Sequence, residues 1–134
     1  MVRKAIDFIL QGSKLIATNL DPSPRKKGWN NLGIAGIVAM IEAATGKKAF
    51  SVGKPSPVMM RQARKYIGLA TDEATVIGDT LGTDIQGGVQ VGYKTILTLS
   101  GMSSKEQLND FPFKPDLVID SIADLTLDKI PWWE

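Results

Sequence analysis

There is no cysteine and no histidine among the 134 residues. The first absence removes disulfides, thiolate metal sites and cysteine nucleophiles. The second removes the commonest general base and the commonest zinc ligand. Any chemistry must therefore run on Asp, Lys, Ser, Thr and backbone groups. An excess of charge is missing too: 16 basic residues against 14 acidic ones leave a net +2. That balance carries no nucleic-acid footprint, and no nucleic-acid partner is expected. No apolar run approaches the ~20 residues of a membrane span, so no membrane partner is expected. Met1-Val2-Arg3-Lys4 leads into a short segment that Asp7 and Gln11 interrupt. This is not the pattern of a signal peptide, and a cytoplasmic location is the expectation.

What is present is ample apolar content, 43% of the chain, enough for one core. Residues 4–10 read as a short helix stopped by Gly12, and residues 14–19 as a strand. Asn19-Leu20-Asp21-Pro22-Ser23-Pro24 is turn chemistry, and the loop runs on to about Gly33. It carries Arg25-Lys26-Lys27, which reads either as a solvated cluster or as an attractor of phosphate. Ile34, Ile37, Val38, Ile41 and Ala44 fall at helical spacing, and Gly46 suits the position that ends a helix.

Residues 49–52 form a short strand leading to Gly53-Lys54-Pro55-Ser56-Pro57. Pro57 suits the first turn of a helix whose inner face is expected at Met59, Ala63, Tyr66 and Ile67. Residues 49–79 have about the length of one βαβ unit. Further strands are expected at 75–78, 94–99 and 116–120. A helix is expected from 83 to 91 and a helix-like piece near 105–108. Strands alternating with helices predict a parallel, helix-covered sheet. Trp132 and Trp133 are expected to cover the sheet edge or form a subunit contact.

Val76-Ile77-Gly78-Asp79 runs from an apolar strand into a loop, and Asp84 opens the next helix. Two readings stand. In one, both carboxylates lie at the carboxyl end of a buried strand, where open α/β sheets bind ligands; carboxylates there suit Mg²⁺ and a shared phosphate. In the other, Asp79 caps a helix and Asp84 sits in its first turn. Lys54 lies between a strand end and a helix start, a place from which it can meet a phosphoryl group beside backbone amides. Its alternative reading is an exposed loop lysine.

Gly53-Lys54-Pro55-Ser56-Pro57 followed by Gly78-Asp79-Thr80-Leu81-Gly82-Thr83-Asp84-Ile85 resembles the haloacid dehalogenase (HAD) superfamily. Leu15-Ile16-Ala17-Thr18-Asn19-Leu20-Asp21 and Ile41-Glu42-Ala43-Ala44-Thr45-Gly46-Lys47 resemble its NagD/p-nitrophenyl phosphatase subfamily, and residues 92–101 continue the likeness. The resemblance implies an α/β fold: part of a Rossmann-like HAD core, with a parallel sheet and flanking helices, plus part of an α/β cap. It implies a cap portion at 1–47 and the C-terminal half of the core at 48–134. It implies Lys54 as the catalytic lysine that steadies the nucleophile and the transferred phosphoryl. It further implies Asp79 and Asp84 as the acids of the Mg²⁺ site, with Asn19 and Asp21 on a cap loop facing the substrate.

One departure is large. The family's DxDxT motif, which carries its nucleophile and its acid/base, is absent, and no Asp-x-Asp occurs in the sequence. The Ser/Thr of the second motif is missing as well. Ser56 and Thr80 lie near the site in sequence, but nothing there activates either. The resemblance therefore implies a Mg²⁺-dependent phosphatase for small phosphorylated substrates, here without its nucleophile-bearing half and inactive by itself. The alternative is a non-catalytic Mg²⁺/phosphate-binding fragment or partner subunit. Either a complementing N-terminal half or a homodimer is an expected association.

Overall fold

The computed structural model describes residues 1–20 and 33–133. Asp21 and the Arg25-Lys26-Lys27 cluster lie outside the described residues. The chain opens with helix α1 (Val2–Leu10) and strand β1 (Ile16–Ala17), then continues through helix α2 (Gly33–Thr45) and strand β2 (Phe50–Ser51). Helix α3 (Pro57–Ile67), strand β3 (Thr75–Gly78), helix α4 (Gln86–Val91), strand β4 (Lys94–Thr98) and strand β5 (Leu117–Ile119) follow. Helix α1 packs on α2.

The strands form two parallel sheets. β1 pairs with β2, Ile16 opposite Phe50. β3, β4 and β5 form the second sheet in that order, Ile77 opposite Ile96 and Ile96 opposite Leu117. This corrects the expectation of one βαβ unit over 49–79. β2 belongs with β1, so α3 links two sheets instead of crossing over within one. A two-residue strand with an apolar neighbour carries no sequence mark of which sheet it joins.

The larger sheet is covered on both faces. On one, Val76 packs with Met60, Ala74 and Tyr93, and Leu97 with Leu81 and Ile85. On the other, Ile96, Ile119 and Ile130 pack with Leu125 and Trp132. Trp132 also donates its indole N–H to the Thr75 hydroxyl at 3.1 Å. The sheet-cover reading therefore holds for Trp132, whereas Trp133 is exposed. The C-terminal cover does not extend over Ile77, which is 43% exposed.

Local chemistry sets the helix that leads from Lys54. Ser56 caps α3 by accepting the Val58 N–H, Pro57 occupies the first turn, and Gly68 ends the helix at φ 77°. The expected inner face is rotated. Met60 is the buried residue of α3, and Met59, Ala63, Tyr66 and Ile67 are exposed. The reason lies on α4: Gly87 leaves room for the Met60 methyl and for Pro55, so the close contact forms at Met60. The expected strand at 14–19 contracts to two residues, since only that stretch finds a partner strand.

Candidate active site

β3 and β4 end side by side at Gly78 and Thr98. The loops that leave them, Asp79-Thr80 and Leu99 to Ser103, are stitched together. Asp79 Oδ2 accepts the Met102 N–H at 3.1 Å. The Asp79 carbonyl accepts the Ser103 N–H at 2.9 Å. The Ser103 hydroxyl in turn accepts the Leu81 N–H at 2.9 Å. Asp79 Oδ1 accepts from the Thr80 hydroxyl at 3.0 Å. The carboxylate that ends β3 is therefore held from two sides.

Asp84 reaches the same place by a different route. Leu81–Ile85 is a single wide π-type turn, not the start of a regular α-helix. The Thr80 carbonyl accepts from the N–H groups of Thr83, Asp84 and Ile85 at 3.3, 2.9 and 3.4 Å. Such turns mark functional sites often enough to merit attention. This one turns the Asp84 side chain inward, where Oδ2 accepts the Thr80 N–H at 3.3 Å and Oδ1 accepts from Lys54 Nζ at 2.7 Å. The Asp84 side chain is 11% exposed and that of Lys54 40%. Lys54 is therefore a paired lysine and not a free loop lysine.

Two glycines make the arrangement possible. A Cβ on Gly78 would overlap the Asp84 carboxylate, and one on Gly101 would overlap that of Asp79. A third, Gly53, lies against the Thr18 carbonyl with no room for a side chain. That contact brings the end of β1 beside the Lys54 turn. Leu20 consequently shares a cavity with Lys54. Asn19 is exposed at the end of β1 and is not among the described residues lining the carboxylate cavity.

The structure thus gathers three of the five residues singled out from the sequence. Lys54, Asp79 and Asp84 line one cavity of about 510 Å³ at the carboxyl edge of the sheet, with Thr98, Ser100 and Gly101. Asn19 is near but outside it. The contribution of residues 98–103 went unread as a site. Its one sequence signal is Ser100-Gly101 directly after an apolar strand, a pattern that most strands share.

The donors at this place are all oxygen, apart from the lysine. Among the described residues no three His, Cys, Asp or Glu side chains cluster to form a closed metal cage. Two carboxylates with small residues around them do fit Mg²⁺, which keeps several waters and takes its other ligands from phosphate. What the arrangement offers chemically is two carboxylates and an ammonium on one cavity, a donor set that can meet a cation and an anionic oxygen.

Comparison with known proteins gives a consistent picture. The HAD-hydrolase-like family model matches residues 51–125. The chain is 39% identical over 124 residues to the dihydroxyacetone phosphatase of Corynebacterium glutamicum, covering 92% of this chain and 45% of that protein. It is 38% identical to NagD from Escherichia coli K-12, whose structure superposes with a TM-score of 0.80 over 93% of this chain and 49% of that one. A double mutant of the thermostable NPPase from Geobacillus stearothermophilus superposes with a TM-score of 0.81 at 32% identity, over 93% and 49%. The chain spans about half the length of the curated relatives it matches.

Proposed function

The chain belongs to the HAD-hydrolase-like family, and from that premise we propose that it supplies the metal- and phosphate-binding side of a Mg²⁺-dependent phosphate monoester hydrolase of the NagD/p-nitrophenyl phosphatase kind. Relatives named dihydroxyacetone phosphatase and ribonucleotide monophosphatase support the reaction class. The single observation that carries the reading is the cavity shared by Lys54, Asp79 and Asp84 at the strand ends.

In this reading Asp79 and Asp84 would hold Mg²⁺, which when bound would supply neutralising charge for the phosphoryl oxygens. Lys54 has three donors. One meets Asp84 at 2.7 Å, which aims that carboxylate into the cavity, and the same ammonium borders the place assigned to the phosphoryl oxygens. Asn19 belongs to the loop that faces the rest of the substrate, a small phosphorylated molecule. Residues before the Lys54 turn form part of a cap and the remainder the second half of a core. The pairing of β2 with β1 favours a boundary after Ser51 over one at residue 47.

Among the described residues no side chain is placed as an activated nucleophile, and in this reading the chain binds without turning over. A second reading, a binding subunit that needs another polypeptide, is favoured by one observation. β3 is bonded to β4 alone among the described strands, and Ile77 beside its open edge is exposed. Both readings share the same site. A Mg²⁺ titration followed through the amide resonances of residues 78–84 tests it. Asp79→Asn is expected to weaken Mg²⁺ binding by about tenfold or more, since one of two charged ligands is lost. Equal affinity in that variant overturns the assignment.

A further inference from the structure

A second cavity lies on the other side of Lys54, and the chemistry above leaves it unused. Its volume is about 670 Å³, within the usual range for small-molecule sites. Leu20, Pro55, Leu81, Met102 and Phe111 give it apolar walls. The rest of its described lining is Ser, Thr, Gly and Gln107, with Lys54 as the one charged side chain among the described residues.

The partition between the two cavities is the loop pair already described, Asp79-Thr80 bound to Met102-Ser103. Asp79 faces one side, while Thr80, Met102 and Ser103 face the other. Lys54 borders both. A phosphate monoester has the same two-part character: a dianionic end and an alcohol portion of different polarity. The dianion suits the side with the carboxylates, their cation and Lys54. The ester oxygen then lies at the Lys54 border, and the alcohol portion has the apolar cavity before it.

We infer that this second cavity receives the alcohol portion of the substrate, and that Gln107 and Phe111 determine which alcohols fit. The inference rests on the phosphohydrolase reading above. Phe111 is held in place, tilted at 51° against Phe113 with ring centroids 5.2 Å apart, so it offers a fixed apolar face. Gln107 accepts the Ser104 N–H through Oε1 at 2.9 Å, which leaves its NH₂ group as a donor to a neutral oxygen. No carboxylate among the described lining residues rewards a cationic alcohol, and no second cation rewards an anionic one. The chemistry recognised is an uncharged alcohol with a flat, apolar face.

The test is an NMR titration of the full chain in Mg²⁺ with three probes: inorganic phosphate, phenyl phosphate and 2-phosphoglycolate. All three are expected to shift amides around Lys54. Phenyl phosphate alone is expected to shift those of residues 102–111 as well, and to bind about tenfold tighter than phosphoglycolate, as burial of one ring predicts. Met102→Ala and Phe111→Leu, each of which cuts back an apolar wall, should bring phenyl phosphate toward the affinity of inorganic phosphate, whereas Gln107→Ala, which removes a donor the bare ring cannot use, should leave it unchanged. Phe111 also packs against the core near Leu81, so Met102→Ala, at an exposed wall residue, carries the test if the other variant unfolds. Phosphate binding at Lys54 with no response from residues 102–111, or a ring advantage that survives both wall variants, overturns this inference alone. Failure of all three probes to reach Lys54 overturns the phosphohydrolase reading and this inference with it.

Discussion

Lys54 Nζ and Asp84 Oδ1, thirty residues apart in the chain, meet at 2.7 Å where the turn before α3 faces the π-type turn after β3. The carboxylate is nearly buried and the ammonium is half-exposed, so the two partners are not equivalent. Removing the lysine leaves a buried charge held, among the described residues, by the Thr80 N–H. Lys54→Met is expected to destabilise the chain by about 1–3 kcal/mol. Adding Asp84→Asn should recover part of that loss. Urea unfolding of the two single variants and the double variant gives the coupling, and strict additivity would show that the pair contributes nothing to folding.

Gly101 and Gly82 make a contrast within one site. A Cβ on Gly101 would overlap the Asp79 carboxylate, whereas one on Gly82 would meet Phe111 at an ordinary 3.8 Å. Gly101→Ala should therefore lower Mg²⁺ affinity by about tenfold or more by displacing Asp79, and Gly82→Ala should have little effect. Isothermal titration with Mg²⁺ separates them. Matching affinities would mean that Asp79 does not need its observed position.

Asp116 ties β4 to the segment that enters β5. Burial pushes its carboxyl up, but the Thr95 N–H, the Thr95 hydroxyl and Lys94 outweigh that and hold it below the usual carboxylate range. The bonds measure 2.9, 3.0 and 3.3 Å. A lowered folded-state pKa means that the stabilisation is complete above the unfolded value, near 4, and fades as pH falls through the lower folded value. Asp116→Ala should cost about 1–3 kcal/mol at neutral pH, because the buried Thr95 N–H loses its acceptor. The cost should shrink on acidification. Unfolding curves at pH 7 and near pH 3 check both the size and the sign.

The isolated chain is expected to hydrolyse no p-nitrophenyl phosphate, with or without Mg²⁺. A bound cation and the lysine would polarise a phosphoryl group, but positioning of the attacking atom is a large part of the rate. Turnover that a mass-verified sample shows and Lys54→Ala removes would reveal a nucleophile within these residues.

The open edge of β3 should make the chain associate. A parallel edge with an exposed isoleucine beside it is a ready surface for another strand. Ile77→Lys is expected to shift the population toward monomer in analytical ultracentrifugation at matched concentration. An unaltered distribution would place any self-association elsewhere.

Much of the larger sheet was legible. The strand at residues 75–78 emerged with the expected limits, and those near 94 and 117 within a residue or so. Each is an apolar run between turn residues, and such a run is a local property. Gly68 and Gly92 end their helices at φ 77° and 79°, and Gly46 sits at φ 66° directly after α2. Chain-local sterics alone favour glycine there. The phase of α3 was not legible. Several faces of that helix carry apolar residues, and the choice of Met60 depends on the gap that Gly87 leaves on another helix.

Composition and motif spacing by themselves determined the chemical vocabulary of this protein: no thiol, no imidazole, and a lysine and two aspartates set on turns that follow or precede apolar strands. The same turns carry the resemblance to the family that the family model over residues 51–125 bears out. Only the tertiary structure decided that β2 joins β1 and that Lys54 closes on Asp84. It also decided that Asp79 is clasped by the loop after β4, and that a second, apolar cavity opens beyond the lysine. These are contacts between segments 20 or more residues apart. Their partners are selected by shape and by the satisfaction of buried polar groups in the assembled core, which no local pattern encodes.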